Sequence, residues 1–207
     1  MEKVSKSVLI SIQPKWCELI AKGKKTLEVR KTRPKLETPF KCYIYCTNNQ
    51  VFAQSSMEGE YFTAPKSGLR ELELCGSKIL SSKVIGEFVC DEIERVDIPY
   101  PAYQDKLDKR YIEQSCVPYN ALHRYCYHDD AYFWHILDLK IYDKPKELNE
   151  FRAICRHYED GLCGNCKYYD YANNESYRYE ECAVDGLKPI TRPPQSWCYV
   201  EEREENV

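Results

Sequence analysis

The stretch GKKTLEVR, residues 23–30, lies at a junction between two predicted elements. Residues 8–12 predict a short buried strand, and residues 15–22 predict a short helix whose apolar side chains share one face. Gly23 follows, and glycine is the residue type that most readily ends a helix in the left-handed conformation. The sequence therefore predicts a strand–helix–strand unit in which the second strand leaves a tight corner at Gly23.

The polar side chains of this second strand share one face. Thr26, Glu28 and Arg30 alternate with apolar residues at the two-residue period of a strand, and Lys24 and Lys25 occupy the corner. Such a cluster can bind a phosphate and hydrogen-bond the edge of a base. It can also support acid–base chemistry if burial shifts a pKa. The alternative is an exposed strand held by salt bridges.

The rest of the chain predicts an α+β fold with few helices between its strands. Residues 104–127 indicate helix interrupted near Pro118, and residues 48–75 indicate a loop insertion or an irregular helix. Four further strands are predicted: one at 41–47, one at 83–90 with an extension over 92–98, one at 132–142, and a last one that follows a turn within residues 192–200. About six short strands indicate a small β-barrel with helices at its rim.

The charge of the chain is unevenly distributed. The 207 residues carry a net charge of −3, but residues 1–41 hold eleven Lys and Arg against four Asp and Glu. This basic first part predicts a local anionic partner, and a solvated surface is the alternative. We expect a cytosolic protein without a membrane partner, because no apolar run approaches the length of a membrane span and the charged N-terminus does not resemble a secretory signal.

Four of the twelve cysteines lie in one segment that is poor in aliphatic residues. Their spacing is C-x7-C-x2-C-x15-C, formed by Cys155, Cys163, Cys166 and Cys182. A C-x2-C corner can place two thiolates on one metal, and two more thiolates complete a tetrahedral site. We therefore predict a structural zinc site, with free thiols or a disulfide as the alternative. Most of the other eight cysteines are predicted to be small core residues.

Three aromatic residues outside the first two strands are further candidates for ligand binding. His135 follows Trp134 in a predicted strand, so their side chains should point to opposite faces and His135 could line a cleft. Trp16 and Trp197 could stack on a base, as aromatic side chains do in RNA-binding proteins, or they could pack in the core.

The stretch from Ser11 to Arg30, with its GKKxxExR core, resembles the signature of ASCH domains in the PUA-like superfamily. Residues 83–90, 132–142 and 192–197 look like their counterparts in prophage-encoded ASCH proteins. The resemblance implies a PUA-like barrel with a cleft for RNA or a modified nucleotide. Its ligand-binding residues would be Lys24, Lys25, Thr26, Glu28, Arg30, His135 and Trp197.

This resemblance also suggests how the chain is divided. Residues 1–150 and 186–201 would form the ASCH/PUA-like barrel, residues 151–185 a Cys-rich insertion that zinc could staple, and residues 202–207 an acidic tail. A role for the Tyr/Cys-rich segment as a protein-interaction module of a mobile element is a separate hypothesis.

One ASCH branch implies an enzyme instead of a binding module. The bacterial N4-acetylcytidine amidohydrolases are similar to this chain at Lys25, but they have a threonine where this chain has Glu28. If the chain is such an amidohydrolase, acting on an N4-acylated cytidine-type nucleoside, Lys25 and Glu28 are its candidate catalytic residues.

Overall fold

The computed structural model describes residues 5–127, 130–154 and 187–202. Its helices are α1 (Pro14–Ala21), α2 (Leu69–Leu74), α3 (Lys109–Ser115) and α4 (Tyr119–Tyr125), with short 3-10 helices at Lys66–Gly68, Pro101–Lys106 and Leu148–Glu150. Its strands are β1 (Lys6–Ile12), β2 (Leu27–Arg30), β3 (Phe40–Cys46), β4 (Val51–Gln54), β5 (Tyr61–Ala64), β6 (Lys78–Ile79), β7 (Val84–Cys90), β8 (Ile93–Val96), β9 (Ala131–His135), β10 (Leu137–Lys146), β11 (Arg152–Ile154), β12 (Leu187–Pro189) and β13 (Trp197–Glu201).

The largest sheet has seven strands in the order β10-β7-β3-β1-β13-β11-β12. Its central strand β1 pairs in parallel with β3 and antiparallel with β13, which lies near the end of the chain. The segment between β1 and β3 contains α1 and β2, as a parallel pair requires a connection that crosses over the sheet. Because β11 belongs to this sheet, the sheet continues past residue 150 to Ile154.

Two smaller sheets complete the strand pairing. One has the order β2-β9-β8 and the other the order β5-β4-β6. Strands β7 and β8 are separated by two residues, and only Ile136 separates β9 from β10. These two short connections therefore join the seven-stranded sheet to the β2-β9-β8 sheet.

The prediction of one barrel of about six strands is corrected by this topology. Within the described ranges the strands form three sheets, and no continuous ladder of strand pairs closes them into a ring. The physical reason is that β2 pairs with β9 across the core and not with a strand of the large sheet. The coarser prediction of a mixed α+β fold is confirmed.

Three apolar clusters lie between the sheets and helices. The main core lies between one face of the large sheet, α1 and the β2-β9-β8 sheet, and includes Ile10, Ile44, Phe88 and Trp134. A second cluster covers the other face of the large sheet. A third lies between the outer face of β2 and β9 and the helices α3 and α4. Strand β2 is therefore buried on both faces.

Several predicted elements are confirmed within one to three residues of their ends. Helix α1 begins at Pro14, and Gly23 has a φ of +68° just after it. The predicted interruption near Pro118 separates α3 from α4. The predicted strand 132–142 is divided at Ile136, and residues 48–75 contain β4, β5 and α2 instead of only a loop or an irregular helix.

No helix in the described part of the chain is both long and apolar enough to cross a membrane.

Candidate functional site

The motif at residues 23–30 is placed against the main core by the end of α1. The backbone N–H groups of Lys24 and Lys25 donate to the carbonyl of Leu19, at 2.9 and 3.1 Å, and so turn the chain sharply. Strand β2 then pairs with β9, with Glu28 opposite Trp134. The polar face of β2 points into the main core because Trp134 belongs to that core.

Lys25 is almost completely buried, with 2% of its surface exposed. Its Nζ donates to the carbonyl oxygens of Leu27 and Ser115, each at 2.7 Å. It also lies 3.4 Å from Glu28 Oε2 and 5.3 Å from the centre of the Trp16 indole. Its ammonium group therefore joins the end of α3 to the start of β2.

Glu28 and Arg30 complete a buried cluster of charges, which we call the ion-pair cluster (Lys25, Glu28 and Arg30). Their residues are 5% and 8% exposed, and Arg30 Nη2 lies 3.0 Å from Glu28 Oε1. Arg30 also donates from Nη2 to the carbonyl of Ser11 at 2.7 Å and from Nη1 to Ser196 Oγ at 3.3 Å. The guanidinium group thus connects β2 with β1 and with the approach to β13.

Three buried polar atoms in this region have no hydrogen-bond partner among the described residues. They are Glu28 Oε2, Arg30 Nε and Trp134 Nε1. Glu28 and Trp134 are cross-strand neighbours, so these atoms lie on the same face of the β2–β9 pair. Buried polar groups without partners are uncommon and costly, and they often mark a site completed by water or a ligand. The arrangement offers one acceptor and two donors.

Burial alters the proton affinity of Lys25 and of the nearby Cys17 thiol. Burial lowers the pKa of Lys25, and the nearby Glu28 carboxylate opposes that change. Burial also raises the pKa of the Cys17 thiol well above its ordinary value, and a hydrogen bond with Cys46 adds to the effect. Cys17 therefore stays a neutral thiol at pH 7, whereas Lys25 is a candidate for proton transfer.

Partly exposed aromatic rings and exposed cations lie around the ion-pair cluster. Trp16 is half-buried, and Lys15 Nζ lies 4.4 Å from the centre of its indole. Tyr125 is exposed and lies close enough to Arg30 for that guanidinium to influence its pKa, which burial raises overall. Lys31 Nζ lies 5.6 Å from the Tyr125 ring. This rim combines stacking surfaces with positive charge.

The other predicted ligand residues lie at different distances from the cluster. Lys24 is exposed at the corner after α1, and Thr26 is half-buried at the start of β2, with its backbone N–H donating to the carbonyl of Gln114. Trp197 is half-buried, packs against Trp134 at 6.1 Å between ring centres and donates to Thr32 Oγ1. Trp197 therefore lies against the main core, next to Trp134.

His135 points away from the ion-pair cluster. It is opposite Leu27 in the β2–β9 pair, on the other face from Glu28, and its Nδ1 lies 2.7 Å from Asp91 Oδ1. Its side chain is 37% exposed, whereas Trp134 is fully buried. The prediction that these neighbours face opposite directions is confirmed, and the structure does not bring His135 to the same face as Glu28.

The predicted zinc ligands Cys155, Cys163, Cys166 and Cys182 lie outside the described residues. The other eight cysteines are free thiols. Five of them are buried, as predicted for small core residues, whereas Cys75 is exposed and Cys116 and Cys198 are intermediate. No group of three or more His, Cys, Asp or Glu side chains suited to a metal ion occurs in the described ranges.

A second concave feature was not predicted from the sequence. It is a pocket of about 270 Å³ between the segment after β8 and the end of α4, and we call it the tyrosine pocket. Its lining residues are Asp97, Ile98, Pro99, Tyr100, His123, Cys126 and Tyr127. The only sequence signal was the abundance of tyrosine, which does not show which rings come together.

No family profile matches the sequence, and no similar curated protein is found. Solved structures, however, have the same arrangement of elements. A serine-to-alanine variant of ASCH from Zymomonas mobilis is similar with a TM-score of 0.50 at 16% identity, covering 96% of this chain and 89% of that one. A tyrosine-to-phenylalanine variant of the same protein gives a TM-score of 0.50 at 18% identity, covering 97% and 93%.

The chain has the ASCH fold. At this level of identity the similarity concerns the fold alone. The predicted resemblance to ASCH domains is confirmed at the level of the fold. Within this ASCH fold, the ion-pair cluster lies on the strand that follows the first helix, where the GKKxxExR motif placed it.

Proposed function

We propose that the chain binds RNA or a modified nucleotide at the ion-pair cluster and its rim. The observation that carries this proposal is the set of buried polar atoms without a hydrogen bond on Glu28, Arg30 and Trp134, within a charged site. A base edge has both donors and acceptors, so it can pair with one carboxylate oxygen and two N–H groups. An apolar ligand would leave these atoms unpaired at considerable cost.

The rim is suited to the other parts of a nucleotide. Trp16 offers an indole face for stacking, and aromatic side chains stack on bases of any sequence. Lys15 and Lys24 are exposed at the two ends of α1 and are free to approach phosphate oxygens. The positive charge of residues 1–41 is consistent with an anionic partner.

The buried residues have a different part in this proposal. Lys25 is held by two backbone carbonyls, so it fixes Glu28 and the start of β2. Arg30 and Glu28 would contact the edge of the base. Thr26 and Trp197 would border the ligand, and His135 would contact a more distant part of an RNA chain. We place this activity in the cytosol.

A titration of fluorescently labelled single-stranded RNA, followed by anisotropy, tests the proposal. The test variant is the double substitution of Lys15→Ala with Lys24→Ala, since both side chains are exposed and their loss should not unfold the chain. We expect binding at least several-fold weaker and a smaller dependence of affinity on salt concentration, because two phosphate contacts are removed. The matched control is Lys66→Ala with Lys144→Ala, which removes two exposed lysines outside residues 1–41.

Equal loss of affinity in both double variants would mean that the effect is one of net charge only. No detectable RNA binding by the unsubstituted protein at low salt would refute the proposal.

A second candidate function is hydrolysis of an N4-acylated cytidine-type nucleoside. The observation that favours it is the lowered pKa of Lys25, 3.4 Å from Glu28, since such a pair can exchange a proton with a substrate. Incubation with N4-acetylcytidine and chromatography for cytidine test it directly. Lys25→Arg would keep the charge but remove the lowered pKa, so turnover should disappear while RNA affinity stays. Absence of turnover in the unsubstituted protein would exclude this candidate for that substrate.

We also propose a structural zinc ion bound by Cys155, Cys163, Cys166 and Cys182, on the basis of their spacing. Elemental analysis of the purified protein should give one zinc per chain. Cys163→Ser should release it and Cys75→Ser should not. If the protein is purified without a metal chelator and still contains no zinc, the proposal is contradicted.

A further inference from the structure

We infer that the tyrosine pocket binds one unpaired nucleobase that carries an exocyclic amino group. This inference extends the proposed RNA binding and rests on it, because the pocket would hold a second base of the same strand. Its volume of about 270 Å³ lies just below the roughly 300–1,000 Å³ of pockets for drug-sized molecules. It is therefore suited to a ligand of one or two rings.

The rings of the pocket have a fixed arrangement. Tyr119 stacks on His123, with 5.9 Å between ring centres, and its hydroxyl donates to the carbonyl of Pro99. Tyr100 and Tyr127 then stand nearly perpendicular to His123, at 77° and 87°. His123 thus forms a supported wall, and the two tyrosines form walls beside it.

These two tyrosines expose much more surface than aromatic residues usually do. Tyr100 is 64% and Tyr127 61% exposed. Large exposed aromatic faces next to a concave site are typical of ligand-binding surfaces, and in proteins that bind single strands they stack on bases.

Asp97 gives the pocket a preference among bases. Its exposed carboxylate has neither an ion pair nor a hydrogen bond with any other described residue. A carboxylate accepts a hydrogen bond from an exocyclic amino group such as cytosine N4. Adenine and cytosine have such a group and uracil does not, so the pocket should favour the first two.

The cations near the pocket favour a base on a polyanion over a small organic cation. Lys106 Nζ lies 4.7 Å from the Tyr103 ring, and the N–H of Tyr103 donates to the carbonyl of Tyr100. Lys31 lies over the ring of Tyr125, which is two residues before Tyr127. These lysines would repel a free cation but attract the phosphates that flank a bound base.

Helix α4 connects this pocket with the ion-pair cluster. Tyr125 is close to Arg30, whereas His123 lines the pocket. Because His123 and Tyr125 are two residues apart, they project to different sides of the helix, so a single strand that contacts both sites must pass around α4.

The experiment compares labelled octanucleotides of adenylate, cytidylate and uridylate in anisotropy titrations with the full chain. Tyr100→Leu should bind adenylate and cytidylate about 5-fold to 100-fold more weakly, because one stacking surface is lost, while Tyr100→Phe should bind almost normally. Asp97→Asn should weaken binding of adenylate and cytidylate but not of uridylate. Leu74→Ala, at a still more exposed apolar position on α2, is the control.

The outcomes separate this inference from the proposed function. If the Lys15 and Lys24 double variant loses RNA affinity and Tyr100→Leu does not, RNA binding stands and the pocket inference is wrong. If no octanucleotide binds the unsubstituted protein, both fail. Competition of RNA binding by millimolar tetramethylammonium, with equal affinity for all three octanucleotides, would show that the pocket binds cations and would overturn the inference.

Discussion

Glu28 and Trp134 face each other across the β2–β9 pair, and each has a buried polar atom without a hydrogen-bond partner in the described residues. Glu28 nevertheless compensates two buried cations, with Arg30 at 3.0 Å and Lys25 at 3.4 Å. Its carboxylate therefore neutralises two cations, although one of its oxygen atoms makes no hydrogen bond. This combination makes Glu28 the residue on which both the stability and the proposed binding of the site depend.

Glu28→Gln should strongly lower the free energy of unfolding. The substitution keeps the shape of the side chain but leaves Lys25 and Arg30 buried without a compensating charge, which costs about 3–5 kcal/mol. Urea denaturation followed by tryptophan fluorescence measures the change. Glu37→Gln, at an exposed position, is the control and should change the free energy by less than about 0.5 kcal/mol. A loss of under 1 kcal/mol for Glu28→Gln would show that the cluster is hydrated.

Ser7→Ala should leave the stability unchanged or raise it by up to about 2 kcal/mol. Ser7 is fully buried, and its Oγ has no hydrogen-bond partner among the described residues, so removing it removes a desolvation cost. The matched variant is Ser11→Ala in the same strand, whose Oγ donates to the carbonyl of Pro194 at 2.7 Å. That variant should lose about 1 kcal/mol. A lower melting temperature for Ser7→Ala than for Ser11→Ala would contradict the structure.

Gly86→Ala should destabilise the protein by about 3 kcal/mol or prevent folding. A Cβ at Gly86 would lie 2.3 Å from the carbonyl oxygen of Lys140, a backbone atom that cannot move without breaking the β7–β10 pairing. Gly68→Ala is the control, because a Cβ there meets nothing within 4 Å and its φ is −87°. Circular dichroism melts of the two variants check the prediction, and equal melting temperatures would refute it.

The stability should fall in acid partly because of Glu94. Partial burial raises the pKa of Glu94, but hydrogen bonds from Arg110 and Tyr111 outweigh this effect and lower it below its ordinary value of 4.5. The unfolded state then binds a proton more readily than the folded state, so this contribution is present above about pH 4.5 and disappears as the pH falls through the folded pKa. Urea denaturation of Glu94→Gln should show a loss of up to about 1 kcal/mol at pH 7 that shrinks below pH 4.

In the same pH series, Glu37→Gln should follow the unsubstituted protein at every pH. A constant difference between Glu94→Gln and the unsubstituted protein from pH 7 to pH 3 would mean that the effect is not one of charge.

Alternation along residues 26–30 was sufficient to predict which side chains of β2 share a face. It could not show that this face is buried, because a polar face usually indicates solvent. Both faces of β2 are covered here, one by the main core and the other by α3 and α4. That arrangement depends on the pairing with β9, about a hundred residues later in the chain.

The tyrosine pocket shows a different limit of sequence reasoning. Tyr100 precedes a 3-10 helix, whereas His123 and Tyr127 belong to α4 and the turn after it. No local spacing connects them, and the chain has eighteen tyrosines from which to choose. The barrel prediction was wrong for a similar reason, since the sequence pattern indicated about six strands and none of their partners, whereas the described residues form thirteen strands in three sheets.

The position of β13 next to β1 has a consequence for synthesis on the ribosome. Strand β1 can pair with β3 soon after both have been synthesised, but its other edge is completed only when residues 197–201 have left the exit tunnel. Until then the hydrogen-bonding groups on that edge of β1 remain open to other extended chains. A nascent chain therefore has an unpaired edge on β1 from the synthesis of that strand until the synthesis of β13, and during this interval the edge is exposed to aggregation.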